Sequence, residues 1–307
     1  MPSVCLPHLA ALVFGAAAGL AACGGGDAPA TTTATGTVAR TTATAEARRL
    51  AAPEATEISG LVASPAQPGV LWAHNDSGDR ARIFALRSDG SLIASLDVPG
   101  AEATDWEDIA VGPGGDLLLG DIGDNQSVRK DIDIYRVPEP QLDGGPSATG
   151  AATRLRLTYP DGAHDAETLL ADPRTGEIVI VTKRLDGRSG VYAGRAPARD
   201  KPGEAVLRHA GDLRLGLAGL ATAGDVSGDR HTVAIRTYTA LYAWARKPGA
   251  SLAATLTRRK PCVGSAQLGR EGQGESLALS RDGRSFFTLA EGAEAALRRY
   301  TTKQAAR

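Results

Sequence analysis

One interval organises this chain. About every fifty residues, an acidic or small residue, alternating apolar residues, a turn rich in Gly, Asp or Pro and a second apolar run return in that order. The five segments are "TEISGLVASPAQPGVLWAHND", "DWEDIAVGPGGDLLLGDIGDN", "DAETLLADPRTGEIVIVTKRL", "LATAGDVSGDRHTVAIRTYT" and "GESLALSRDGRSFFTLAEG". Period-two alternation broken by such a turn is a β-hairpin signal. With the turns aligned, Ser59, Glu107, Glu167, Thr222 and Glu275 fall at one register. A third run then follows ("RIFALRSDG", "IDIYRVPEP", "GVYAGRAP", "ALYAWARKPG"), and after it a fourth ("LIASLDV", "TRLRLTYP", "AVLRHAGDL", "LAATLTRR"). Four antiparallel strands in a unit of about 40–50 residues describe a propeller blade.

The expected fold is therefore all-β: a β-propeller of five blades with about four strands each, or six if the N-terminal segment adds a degenerate blade. The last unit stops after its third strand, "AALRRYTTK", so its fourth must come from elsewhere. The segment "EARRLAAPEA", just ahead of the first unit, is the natural donor. A β-sandwich would also give many short strands, but not an acidic residue recurring at one register. The Gly-rich stretch "PEPQLDGGPSATGAATR" fits no blade core and is expected as a surface insertion between the third and fourth strands of the second unit. Aromatic residues are few, Trp72, Trp106 and Trp244 among them, so the packing between blades must rest on Leu, Val, Ile and Ala.

The chain begins "MPSVCLPHLAALVFGAAAGLAACGGG", with an apolar stretch from Leu9 to Leu20 that has the length of a signal-peptide core and is too short to span a bilayer. Residues 1–22 are expected to be a signal peptide, although no Lys or Arg precedes the apolar run. Leu20, Ala21 and Ala22 before Cys23 resemble a bacterial lipobox, which implies a lipid on Cys23; an ordinary cleaved signal with a free cysteine is the alternative. Acyl chains there would anchor the protein to the membrane on its extracytoplasmic face, each buried methylene contributing about 0.8 kcal/mol. Residues 23–48, rich in Gly, Ala and Thr, cannot bury enough surface to offset their ordering entropy and are expected to form a flexible tether. Residues 49–307 remain for a single propeller domain, expected as a monomer. The formal net charge of −1 gives no general attraction to nucleic acid, which is excluded as a partner. Of three cysteines, only Cys262 stays free, so no intramolecular disulfide is expected.

In a propeller the first strand of each blade lines the central channel, and residues entering from one face converge on the axis. Glu107, Glu167 and Glu275 would converge, with Glu57 two residues before Ser59 and so on the same side of its strand. Carboxylates brought that close raise one another's pKa unless a cation lies between them. An all-oxygen ligand set favours a hard cation, calcium before magnesium. The candidate metal ligands are Glu57, Glu107, Asp108, Asp121, Glu167 and Glu275. The ends of the second strands add His74, Asn75, Asp76, Asp124, Asn125, Lys183, Arg236 and Glu291 to the same rim. Lys183 and Arg236 are candidates to hold a phosphate or carboxylate, and His74 a candidate general acid or base. The same residues admit a structural account. Asp and Asn at strand ends are ordinary turn formers, the glutamates could line the channel with a hydrogen-bonded network, and the cations could simply neutralise them.

At "DWEDIAVG", "GDIGDN", "AHDAETLL" and "GQGESLAL" the chain resembles bacterial secreted or lipoprotein β-propellers, loosely similar to the phytase-like, esterase-like calcium-binding group. The resemblance covers about Glu57 to Tyr300 and implies acidic channel residues binding calcium and a phosphate ester, with Glu107, Glu167 and Glu275 at the acidic positions. Ser59 and Thr222 depart from that pattern. No G-x-S-x-G elbow, H-E-x-x-H or P-loop is present, so any hydrolysis would be metal-assisted. Two functions follow as expectations. One is a lipid-anchored propeller whose calcium-occupied mouth binds a small anionic ligand and hydrolyses a phosphate or other ester; the other is a non-catalytic propeller that binds a protein or glycan at the cell surface.

Overall fold

The computed structural model describes residues 44–196, 201–216, 219–259, 261–264, 268, 271–292 and 295–301. The expected signal peptide, Cys23 and the first part of the tether lie outside them. Strand β1 (Thr44–Arg49) comes first, followed by β2 (Ile58–Ala63), β3 (Val70–Asn75), β4 (Arg82–Arg87) and β5 (Leu92–Asp97), which form the first blade in that order. The second holds β6 (Trp106–Val111), β7 (Leu117–Asp121), β8 (Ile132–Val137) and β9 (Thr153–Thr158). Then come β10 (Ala166–Ala171), β11 (Glu177–Thr182), β12 (Arg188–Arg195), β13 (Gly203–Val206) and β14 (Arg208–Arg214). The fourth blade is β15 (Ala221–Val226), β16 (Thr232–Thr237), β17 (Leu241–Ala245) and, beyond helix α1 (Leu252–Arg258), β18 (Cys262–Gly264). The fifth has β19 (Gly274–Leu279), β20 (Ser285–Ala290) and β21 (Ala296–Thr301).

These strands make five small sheets, a five-bladed β-propeller. The inner strands β2, β6, β10, β15 and β19 touch in sequence and close back onto β2. The fifth sheet takes its fourth strand from the N-terminus: β1 pairs antiparallel with β21, from Thr44 opposite Thr301 to Arg49 opposite Ala296. So the segment expected as tether ends in a strand, and the donor starts slightly earlier than "EARRLAAPEA" suggests. The Gly-rich insertion leaves the second blade between β8 and β9 as expected and lies along the first. Asp97 bridges Ala148, and the Glu139 carboxylate accepts from Trp72 Nε1 at 2.9 Å and Gln67 Nε2 at 3.2 Å.

Two expected fourth strands differ. "AVLRHAGDL" is cut at Leu207, which is buried. The part before it, β13, joins β9 in parallel as a fifth strand of the second sheet, while β14 completes the third blade with β12. "LAATLTRR" is helical. Ser251 caps α1 by accepting from Ala254 N at 3.0 Å, Glu177 accepts from Leu252 N at 2.7 Å, and the buried set Leu252, Ala253, Thr255 and Leu256 follows helical spacing rather than alternation. The short β18 takes the strand's place at β17. Between blades, Trp72, Trp106 and Tyr135 pack with Ile83, Leu96 and Ile109, and Trp244 packs with Val191, Leu213 and Leu256. Each such side chain contributes about 1.5–3 kcal/mol on full burial.

The closing strand has exposed side chains from Glu46 to Arg49, so its hold on β21 is mostly backbone pairing. Removing residues through Arg49 is expected to cost about 3–5 kcal/mol, at about 1 kcal/mol net for each hydrogen bond lost, and to lower the Tm correspondingly in thermal unfolding.

Candidate functional site

Each inner strand carries one β-bulge, and the extra residue sits at the same place in all of them. The ladder passes from Ile58 to Gly60, Trp106 to Asp108, Ala166 to Thr168, Ala221 to Ala223 and Gly274 to Ser276. The residues skipped are Ser59, Glu107, Glu167, Thr222 and Glu275, the register read from the repeat. A bulge leaves its extra residue outside the ladder and re-aims the side chain, which is why bulges concentrate beside functional sites. All five are buried.

The two departures from glutamate have a role of their own. Ser59 Oγ lies 2.6 Å from the Glu107 carbonyl oxygen and 3.1 Å from Glu107 Oε2, one hydroxyl proton facing two acceptors. Thr222 Oγ1 donates to the carbonyl of Gly274, beside Glu275, at 3.0 Å. Each stitches its inner strand to that of the next blade.

The glutamates meet further carboxylates at the rim. Oxygens of Asp76, Asp105 and Glu107 lie within 4.8 Å of one another, as do those of Asp76, Glu275 and Glu291, so Asp76 is common to both groups. Asp76 follows β3, its N–H donating to the Glu57 carbonyl at 2.7 Å. Asp105 precedes β6 and is set by Asp121, which accepts from the amides of Asp105 at 3.1 Å and Thr104 at 3.3 Å while paired with Arg129 at 2.8 Å. Gly123 closes over this corner, where a Cβ would come within 2.4 Å of Glu107 Oε1. Glu167 pairs through Oε1 with Lys183, whose ammonium lies 5.8 Å from the centre of the Tyr238 ring; Tyr238 in turn donates to Glu275 Oε1 at 2.7 Å. Glu167 Oε2 is buried and has no hydrogen-bond partner among the described residues.

Burial first, then the neighbouring charges of Glu167, Asp76 and Asp105, pushes Glu107 well above the usual carboxylate range. Burial also lifts Glu167, although Lys183 opposes it. Asp105 is pushed up to about 6 by burial and by Asp76 and Asp165. Glu291 rises to about 8 through burial and its contact with Glu275. Asp76 is raised by burial, against the Ser77 amide that lowers it. Burial depresses Lys183, but Glu167 outweighs that and the net shift is upward. The mouth thus gathers more carboxyl groups than the ammonium of Lys183 neutralises, and they resist ionising together.

Of the residues picked from the sequence, Glu107, Glu167, Glu275 and Lys183 come together here. Glu57 is exposed and lends its charge to Asp76 and Glu291. Asp121 supports the loop bearing Asp105. Asp108 lies in the channel wall: Oδ2 accepts from Leu169 N at 2.9 Å and Gly224 N at 3.1 Å, and Oδ1 from Ile109 N at 2.9 Å, so it ties three inner strands. Asp225 does likewise for the fifth blade through Leu279 N at 2.7 Å and is pushed up to about 7 by burial. Arg236 is buried, its guanidinium donating to Glu271 at 3.2 Å and to the Ser276 carbonyl at 3.0 Å. His74 is also fully buried; Nδ1 is 2.9 Å from the Asn75 carbonyl, the ring meets Trp106 edge-on at 5.3 Å, and burial lowers its pKa. Neither His74 nor Arg236 is open to a ligand, because each side chain fills space between strands. The residues not picked are Asp76 and Glu291, which were placed on the rim but not among the ligands, and Asp105 and Tyr238. The signal for Asp105 is a second register, in which Glu57, Asp105, Asp165 and Gln273 stand two residues before the bulge; that for the others is a third, in which Asp76, Lys183, Tyr238 and Glu291 each directly follow the second strand of a blade.

The sequence matches no protein-family model and no curated protein. Among the described residues no helix is long and apolar enough to cross a membrane.

Two outcomes test this charge balance. A carboxyl whose pKa is higher folded than unfolded holds its proton longer in the folded state, so between about pH 4, the unfolded value, and the raised folded values the unfolded chain binds fewer protons and stability falls as pH rises. With a chelator present, thermal unfolding is expected to give a Tm that drops from pH 5 to pH 8. At pH 8 under the same conditions, Glu107→Gln is expected to stabilise the protein, by on the order of 1 kcal/mol, because it removes one member of a repelling set and leaves an acceptor for Ser59.

Proposed function

We propose that the mouth binds a divalent metal ion, calcium before magnesium, and that the bound cation recruits a small anionic ligand at the rim. The observation that carries this is a ring of carboxylates in which two sets of three, joined at Asp76, each bring their oxygens within 4.8 Å of one another, with the unpartnered Oε2 of Glu167 buried at the same register. Protonation or a cation are the two ways to relieve such a ring, and near neutral pH an all-oxygen set of this size suits a hard cation. Asp76 with Asp105 and Glu107, or Asp76 with Glu275 and Glu291, would hold it. A cation there would supply Lewis-acid attraction for a phosphate or carboxylate group.

Binding is the reading favoured over hydrolysis. The groups expected to act on a substrate are engaged: Lys183 with Glu167, Arg236 with Glu271, and His74 inside the wall. With the lipobox-like sequence at Cys23, the proposed protein is a lipid-anchored, extracytoplasmic propeller that binds an anionic ligand through a metal ion. The experiment is calcium titration by calorimetry on the chelator-stripped full chain. Wild type is expected to bind; Asp76→Asn, which touches both carboxylate groups, is expected to weaken binding tenfold or more, about 1.4 kcal/mol. Glu291→Gln, which touches one, should cost less. Absence of calcium and magnesium binding by the wild type would reject the proposal and leave the carboxylates as a protonated lining.

A further inference from the structure

A pocket of about 80 Å³ opens between the third and fourth blades. Each inner strand starts at the mouth, so the turns that follow β10 and β15, and the connection after β17, lie on the opposite face. Those three segments line the pocket, bringing Asp172 and Arg174, then Asp229 and Arg230, then Arg246 and Lys247. Four fixed cations therefore face two carboxylates.

The carboxylates are already engaged. Asp172 accepts from Arg246 Nη2 at 2.5 Å and from the Arg174 amide at 2.9 Å. Asp229 accepts from Ser227 Oγ at 2.6 Å and from the His231 amide at 3.0 Å. Arg246 is buried, and its Nε donates to the Ala250 carbonyl at 2.8 Å, so it forms a rigid floor. The side chains of Arg174, Arg230 and Lys247 are exposed around it, and no ion pair of theirs is found among the described residues. Three positively charged residues from three separate turns thus line one small opening.

The backbone gives an independent reason to read this as built for a ligand. In the turn after the inner strand, the other four blades place glycine in the left-handed region, at Gly69, Gly114 and Gly115, Gly176, and Gly283. The fourth blade alone places an arginine there, Arg230, with φ of 62°. A side chain in that conformation is strained where glycine is not, and such strain clusters at ligand sites.

We infer that this pocket is a second anion site, separate from the mouth, that takes a single phosphate-type oxyanion, free or as the terminal group of a larger molecule. Arg230 and Arg174 would supply paired donors and Lys247 a point charge.

The test is calorimetry on the full chain with chelator present, so that no metal at the mouth can capture the anion. Inorganic phosphate and glycerol phosphate are titrated separately, at constant ionic strength against chloride. Arg230→Gly combined with Lys247→Ala is the variant, since glycine suits the backbone at 230 and the fold is expected to keep or raise its Tm. Saturable binding of either probe by the wild type, weakened tenfold or more in the variant, supports the inference. Binding of inorganic phosphate alone would assign a free anion, and binding of both would assign an esterified phosphate as well. No binding of either probe, or binding unchanged in the variant, overturns it. Because the mouth is metal-free throughout, these outcomes are independent of the calcium titration.

Discussion

Backbone pairing between β1 and β21 joins the first and last of the described strands in one blade, and the convergence at the axis depends on it. A propeller has no central core; each blade packs its faces on its neighbours, so an open ring would let the first and last blades separate. The described fold has no disulfide available to do this work, since Cys262 alone remains after the first segment. Strand pairing substitutes for it. The buried channel residues tie the other inner strands to one another: Ser59 and Thr222 reach the next blade's backbone, and Asp108 and Asp225 accept amides from other inner strands.

Once the ring is closed, the bulges determine what faces the axis. One extra residue per inner strand turns a side chain out of the ladder, and in three blades that residue is a glutamate. The arrangement works against folding stability when no cation is present, because desolvation and mutual repulsion both oppose ionisation. Hydroxyl residues at the other two positions relieve part of that repulsion and use the space for inter-blade hydrogen bonds. Chemistry of this kind is expected where a site is maintained at the expense of the scaffold.

The opposite face obeys a different logic. In the pocket between the third and fourth blades, Asp172 and Asp229 are engaged by backbone amides and Arg246, and the exposed Arg174, Arg230 and Lys247 leave a surplus of positive charge. The mouth and this pocket therefore differ in sign, with buried acidic groups gathered at the one and exposed basic groups at the other.

Period and register could be read from the chain alone. Alternation and turn residues repeat at fixed spacing, so blade number, strand order, the borrowed closing strand and the position of Glu107, Glu167 and Glu275 all follow from local chemistry. Where local chemistry was ambiguous the reading failed: "LAATLTRR" suits a strand or a helix, and its capping by Ser251 and Glu177 settled it; "AVLRHAGDL" was divided because Leu207 is buried between two sheets. The contents of the site depended on the fold for the same reason. Asp76, Asp105 and Glu291 belong to different blades or different strand ends, and nothing in sequence spacing shows that oxygens of Asp105 and Glu291 each come within 4.8 Å of Asp76. Sequence likewise cannot show that His74 and Arg236, on second strands beside the inner strands of Ser59 and Thr222, point into packed wall rather than solvent. A repeat encodes where each backbone goes; which side chains meet across the axis, and which are spent on one another, is fixed only when five separate strands are brought to one point.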